Sequence, residues 1–262
     1  AQRIRHFLER CHVPAVSAFR AKDRLDNAHL LYVGDLGIGA DPTLVKRIAE
    51  ADLLLLLGAR LDEMTTGAYE RIAVPTARQA LVHVFPEAEE INRVTRADLS
   101  ICADIGNFAE VAERLAISDA PRWRGWADEA RRAYEDFIRP VTPPGAVNPA
   151  VIFAWLRERL PEDAVMTNGA GNYAGWLHRF HLHRRLHTQL APLSGAMGYG
   201  FPAAIAAKLN APGRIVIANA GDGCFLMNGQ ELATAVQHRL AIVFVVLDNG
   251  MYGTIRMHQE RA

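Results

Sequence analysis

An α/β fold in two doubly wound domains, each built on a mainly parallel sheet, is what this sequence predicts. Short apolar runs such as 52–57 and 241–247 recur between amphipathic helical patterns, as strands buried on both faces of a parallel sheet do. Turns rich in Gly, Asn and Asp close several of these runs, at the strand ends where open sheets place ligands. A charged stretch broken by Pro140, Pro143 and Pro144 separates two such series, so the division read here is a domain over 1–117, a linker over 118–146 and a domain over 147–262.

In the first domain, Ile4, Phe7 and Leu8 share one face of a helix from Gln2 to Cys11, and a strand is expected at Val13–Ala18. The loop Gly34-Asp35-Leu36-Gly37-Ile38-Gly39 lacks G-x-G-x-x-G spacing and follows no strong strand, so as a dinucleotide fingerprint it is weak. Further strands are expected at Asp52–Leu57, Leu81–Phe85 and Leu99–Cys102, with helices at Pro42–Ala51, near Glu87–Ile91 and at Asn107–Leu115. A charged helix from Arg122 to Ile138 carries Trp123, Trp126, Tyr134 and Phe137 near one face, suited to docking on a domain.

The second domain opens with Asn148 as N-cap of a helix from Pro149 to Leu160. A strand at Ala164–Thr167 runs into Asn168-Gly169-Ala170-Gly171-Asn172. His178, His181, His183 and His187 invite a zinc reading, but no Cys or carboxylate joins them at ligand spacing and Arg179, Arg184 and Arg185 would repel a cation. A polar loop leading into Thr188–Leu193 is expected instead. An Ala-rich helix, Ala203–Leu209, is small enough to pack closely on the sheet.

The densest pattern runs from Arg214 to Gly253. A strand at Ile215–Ala218 ends in Asn219-Ala220-Gly221-Asp222-Gly223; a helix follows from about Asn228 to His238; a strand at Ala241–Leu247 ends in Asp248-Asn249-Gly250. Two parallel strands joined by a helix bring both turns to one sheet edge, so Asp222 and Asn249 are expected side by side. Gly221 and Gly223 let backbone amides approach an anion. Asp222, Asn249 and the Met251 carbonyl are hard oxygen donors suited to Mg²⁺ that also binds phosphate. Each turn alone is ordinary turn chemistry; the pair at the ends of one strand-helix-strand unit points to a site.

Composition bounds the rest. Lys plus Arg balance Asp plus Glu at 29 each, so no global field recruits nucleic acid or an anionic membrane, and neither is expected as a partner. No apolar run is long enough to span a bilayer. Cys11, Cys102 and Cys224 form no framework, which points to a reducing, cytoplasmic setting.

The Gly221–Asn249 stretch resembles the thiamine-diphosphate motif, with Asn249-Gly250 where that family usually shows two Asn. Ser194–Ala204 resembles the segment preceding the motif in acetolactate-synthase-like enzymes. The resemblance implies that thiamine diphosphate and Mg²⁺ are bound, that Asp222, Asn249 and Met251 are the metal ligands, and that Gly221, Gly223 and Cys224 lie at the diphosphate. It implies that Met197 props the bent cofactor and that Asn172 and Asn168 lie beside it. Cys224 is read as a small buried residue rather than a nucleophile, Glu231 as a cap or packing group, and Tyr252 as part of a cover. Gly58-Ala59-Arg60-Leu61-Asp62 resembles a middle-domain segment whose Arg contacts FAD in some members; an ion pair is the alternative for Arg60, and loop duty for Asp62.

The reaction implied is decarboxylation of a 2-keto acid with transfer of the acyl-anion equivalent, in a homodimer or homotetramer. A 2-keto acid decarboxylase, or a lyase acting on 2-hydroxyacyl or oxalyl thioesters, stays open, as does a non-catalytic nucleotide-binding regulatory module. Both chain ends read as cuts within a longer protein. The glutamate that activates the cofactor in this family belongs to a separate domain, so catalytic residues are not assigned and the segment alone is expected to be inactive.

Overall fold

The computed structural model describes residues 2–115 and 121–261. The expected boundary between Ile117 and Ser118, and the end residues Ala1 and Ala262, lie outside the described residues. The chain forms two compact units: Ala1–Phe19 with Ala28–Phe137, and Arg20–Asn27 with Ile138–Ala262. The second unit thus includes an eight-residue segment from early in the sequence, which the division by sequence did not anticipate.

The first unit is α/β with parallel strands only. Helix α1 (Gln2–Cys11) buries Phe7, Leu8 and Cys11. Strand β1 (Ala15–Ser17) pairs with β2 (Tyr32–Asp35), so the Gly34–Gly39 loop does emerge from a strand, contrary to the sequence reading. Gly37 sits at φ +123°, where a Cβ would lie 2.4 Å from the Phe19 ring; only glycine fits there. Helix α2 (Pro42–Glu50) starts at Asp41, whose carboxylate accepts from Thr43 N. A second sheet runs β3 (Leu53–Leu57), β4 (Ala80–Phe85), β5 (Leu99–Cys102).

Asp62 is a cap: it accepts from Thr65 N at the start of α3 (Glu63–Thr66). Arg60 pairs with Glu90 at 2.8 Å and Glu87 at 3.6 Å, and lies 4.8 Å over the Phe85 ring. The helix expected near Glu87–Ile91 is one 3₁₀ turn, Ala88–Glu90. Helix α4 (Ile105–Ala112) begins earlier than expected because Asp104 caps it through Gly106 N. The helical part of the expected linker, α5 (Arg124–Phe137), is integrated into this unit. Tyr134 is buried edge-on against Tyr32 with centroids 5.3 Å apart, and Arg47 lies over Trp126.

The second unit holds one four-stranded parallel sheet in the order β7 (Gln189–Leu190), β6 (Val165–Asn168), β8 (Val216–Gly221), β9 (Val243–Leu247). Every residue of β6 and β8 is buried, which the alternation of side chains converts into two cores. On one face Val216, Ala218 and Ala220 meet Phe201 and Ala204 of α8 (Gly200–Asn210). Phe201 stacks edge-on with Phe244 at 4.7 Å and with Phe225 at 5.3 Å. On the other, Met166 and Ile217 meet Phe153 of α6 (Pro149–Arg159) and Leu177 and Phe180 of α7 (Ala174–Phe180). Phe153 alone is worth about 1.5–3 kcal/mol of burial. Asn148 caps α6 through Val151 N as the sequence predicts.

The helix expected from about Asn228 to His238 is α10 (Glu231–Gln237), and a further helix the sequence did not suggest, α9 (Asp222–Asn228), starts directly at the end of β8. A final helix, α11 (Gly253–Gln259), follows β9.

The loop expected here is found at residues 181–187, with Arg184, Arg185 and His187 exposed, but His178 lies in α7 and two of the loop's histidines are not at the surface. His181 and His183 are buried with ring centroids 5.0 Å apart, and His178 keeps an edge in solvent while its Nε2 is sealed. The early segment packs on them: the Lys22 ammonium, itself buried, donates to the His178 and His181 carbonyls. Asp23 accepts from Thr188 N, and Asn27 Oδ1 from His183 N at 2.9 Å. His183 Nδ1 pairs with Thr188 Oγ1. Among the described residues no three His, Cys, Asp or Glu side chains converge as a metal site.

Burial, with Lys22 second, pushes His178 and His181 down to about 3, and burial drives His183 well below its ordinary range. An unfolded chain protonates these rings near 6.5, so between those values it binds more protons than the folded one and stability falls as pH falls. Each of His178 and His181 should cost about 2 kcal/mol of stability by pH 5. Urea unfolding at pH 7.5, 6.5 and 5 measures this, and an unchanged stability over that range would contradict it.

Candidate functional site

The sheet register decides what the turns can do together. Gly221, the last residue of β8, is paired with Leu247, the last of β9, and Asn168 of β6 with Asn219. Parallel neighbours lie about 4.8 Å apart, so Asp222 and Asn249, one and two residues beyond that register, emerge side by side, with the 168–172 turn on the same edge.

At Asp222 the chain enters α9 directly, with Gly221 as its N-cap. The Asp222, Gly223 and Cys224 amides are therefore first-turn donors without a helical partner, a setting that favours an anion. Space is tight around the glycines. A Cβ on Gly223 would lie 2.7 Å from the Tyr252 ring, and one on Gly221 2.9 Å from the Tyr173 ring. Tyr252 thus lies against the turn.

After β9, Asn249 Oδ1 accepts from Met251 N at 3.2 Å and the Met251 carbonyl from Gly253 N at 2.9 Å. Each oxygen keeps a second lone pair. Asn172 is tied to this turn: its Oδ1 accepts from Thr254 Oγ1 at 2.9 Å. The structure therefore gathers Asn172, Gly221, Asp222, Gly223, Asn249 and Met251 on one edge. One carboxylate, one amide oxygen and one carbonyl, with free amides beside them, fit Mg²⁺ bridged to a diphosphate; the metal takes few protein carboxylates and fills its octahedron with phosphate and water.

Met197 joins through its neighbour. Gly198 N donates to Cys224 Sγ at 3.2 Å and Asn228 Nδ2 to Gly198 O at 3.2 Å, so the Met197 segment lies along α9 with Met197 exposed. Cys224 is buried, consistent with a packing role. Glu231 opens α10 and accepts from Thr234 Oγ1. Arg60, which the resemblance would offer to FAD, is engaged by Glu90 and Glu87.

Two residues were missed. Tyr173 follows the candidate Asn172, and its buried hydroxyl accepts from Gly169 N at 2.8 Å and donates to Asn219 O at 3.3 Å. Burial, with Cys224 beside it, pushes this phenol well up. Arg20 donates to the carbonyls of Gly169 and Pro192. An aromatic at a helix start was a faint signal for Tyr173; nothing in the sequence links position 20 to position 169.

Residues 1–113 match the family described as thiamine pyrophosphate enzyme, central domain, and residues 169–262 match thiamine pyrophosphate enzyme, C-terminal TPP binding domain. The chain belongs to the thiamine pyrophosphate enzyme family. Its fold, α/β with parallel sheets in both parts, is the one the sequence predicts. The chain is 31% identical over 98% of its length to the acetolactate synthase large subunit of Parasynechococcus marenigrum (strain WH8102), covering 42% of that protein. It is 29% identical over 99% of its length to the acetolactate synthase of Mycobacterium avium, covering 42%. To the acetolactate synthase isozyme 2 large subunit of Escherichia coli (strain K12) it is 27% identical over 98%, covering 46%. The chain therefore spans less than half the length of these curated relatives. Among the described residues no helix is long and apolar enough to cross a membrane.

The tightest point of this edge is Gly169, where a Cβ would lie 2.4 Å from Cys224 Sγ. Gly169→Ala should destabilise the protein by about 1–3 kcal/mol through overpacking, read as a lowered urea midpoint at unchanged m-value; a midpoint equal to wild type would contradict this packing.

Proposed function

We propose that this chain forms the diphosphate- and Mg²⁺-holding part of an acetolactate-synthase-like enzyme, which decarboxylates a 2-keto acid and transfers the acyl-anion equivalent to an acceptor. The observation that carries the reading is the pairing of Gly221 with Leu247, which sets Asp222 and Asn249 at adjacent strand ends beside the free amides of α9. The similarity to acetolactate synthases over nearly the whole chain supports it.

Thiamine diphosphate, when bound, supplies the nucleophilic carbon and electron sink for decarboxylation. The chain's own residues hold and orient it. Asp222, Asn249 and the Met251 carbonyl would hold the metal; the Gly221–Cys224 backbone would take the diphosphate; Met197 would support the cofactor, and Asn172 joins the two turns. The glutamate that activates the cofactor is assigned to a segment outside these residues, contributed across a homodimer or homotetramer, so residues 1–262 alone are proposed to be inactive. A cytoplasmic setting fits the unpaired Cys11, Cys102 and Cys224.

Titration calorimetry with thiamine diphosphate and Mg²⁺ tests the reading. Wild-type protein should bind only with the metal present, and Asp222→Ala should weaken that binding at least a hundredfold, in line with loss of a metal ligand's charge-assisted contact. Metal-independent binding, or an Asp222→Ala variant with wild-type affinity, would count against it. Pyruvate consumption when a domain carrying the activating glutamate is supplied, but not by residues 1–262 by themselves, is the expected activity result.

A further inference from the structure

Cys224 Sγ and the Tyr173 hydroxyl form a buried junction between four pieces of chain. Gly198 N donates to Cys224 Sγ at 3.2 Å; the sulfur lies 3.4 Å from the Tyr173 oxygen; that oxygen accepts from Gly169 N at 2.8 Å and donates to Asn219 O at 3.3 Å. A hydroxyl carries one proton and two lone pairs, and a thiol is a weak donor and weak acceptor. With the phenol proton committed to Asn219 O, one arrangement satisfies every group: the thiol accepts from Gly198 N and gives its own proton to the Tyr173 oxygen. All of these atoms are buried, so none has water as a substitute.

The junction ties together the turn after β6, the end of β8, the first turn of α9 and the segment carrying Met197. Cys224 is the third residue of α9, so its backbone amide belongs to the anion-facing turn while its side chain faces inward to Tyr173. The Tyr173 ring also lies against Gly221. Moving either side chain therefore moves the amides of residues 222–224 relative to Met197 and Asn168.

We propose that Tyr173 and Cys224 act as a coupled pair of positioning residues, whose shared hydrogen bond sets the diphosphate turn and the Met197 segment in register for cofactor binding. This rests on the functional reading above. Neither side chain touches the reacting atoms, so the effect falls on cofactor affinity.

Tyr173→Phe keeps the ring and removes the junction's hydroxyl; Cys224→Ala removes the sulfur; Cys224→Ser keeps a small group able to accept from Gly198 N and donate to Tyr173. Titration calorimetry of thiamine diphosphate with Mg²⁺ on the intact protein, alongside the thermal midpoint without cofactor, separates the cases. Tyr173→Phe and Cys224→Ala should each raise Kd about tenfold. The double variant should be no weaker than the worse single one, and Cys224→Ser should recover most of the loss. Wild-type Kd in Tyr173→Phe, or strictly additive losses, or no recovery in Cys224→Ser, overturns the proposal. If Tyr173→Phe lowers the midpoint too far to titrate, the contrast between Cys224→Ser and Cys224→Ala still decides it. Wild-type protein that binds no thiamine diphosphate defeats the functional reading and this inference with it, whereas wild-type binding with unshifted variants defeats this inference alone.

Discussion

Strand β8 has no face in solvent, and most of the second unit follows from that constraint. A parallel strand buried on both sides must be flanked by strands and covered by helices above and below. The alternation of Val216, Ala218 and Ala220 with Ile217 supplies one apolar set to α8 and the other to α6 and α7. Small residues on the α8 side let Phe201 reach across to Phe244 and Phe225. With the strand so fixed, its register with β9 has little freedom, because a one-residue slip would turn apolar side chains to the wrong face. The juxtaposition of Asp222 and Asn249 is thus a consequence of core packing, not of any attraction between the two residues.

The site then uses what strand ends offer. A helix that begins at the last residue of β8 presents its unpaired amides where the sheet stops. Glycines at 221 and 223 leave room that the rings of Tyr173 and Tyr252 fill. The three donors proposed for a metal are all hard oxygens, and two of them are uncharged, a set that suits a cation and a polyanion together without stacking like charges.

Elements whose pattern is local were legible in the sequence: α6 with Asn148 as its cap, α1 with its apolar face, and β3, β4 and β5 as strands, although β3 is half-buried with Leu53 exposed, not the fully buried strand its apolar run suggests. The turn pair was legible because glycine, Asp and Asn at strand ends carry a conformational reason for being there. What was not legible was contributed from a distance. Strand β2 was missed because Tyr32-Val33-Gly34-Asp35 is short and holds a glycine. The start of α9 was missed because a Gly-rich turn argues against helix unless the strand before it delivers the chain there. The histidines looked polar because composition does not reveal burial, and part of what encloses them, Lys22, Asp23 and Asn27, comes from more than 150 residues away in sequence.

That early segment has a consequence for how the protein can be divided. Residues 20–27 and the rest of the unit they complete are separated in sequence by Ala28–Phe137, the larger part of the first unit, so no single cut yields a self-sufficient second half. A piece beginning near Gly145 would keep the sheet and the turns at 221–223 and 248–250 but would lose the ammonium that serves the carbonyls of His178 and His181 and the carboxylate that serves the amides of Thr188 and Gln189. It would also lose Arg20 from behind the Gly169 turn. In topological terms the two units are interleaved along the chain, and the sequence unit that can be inherited, truncated or transplanted intact is the pair.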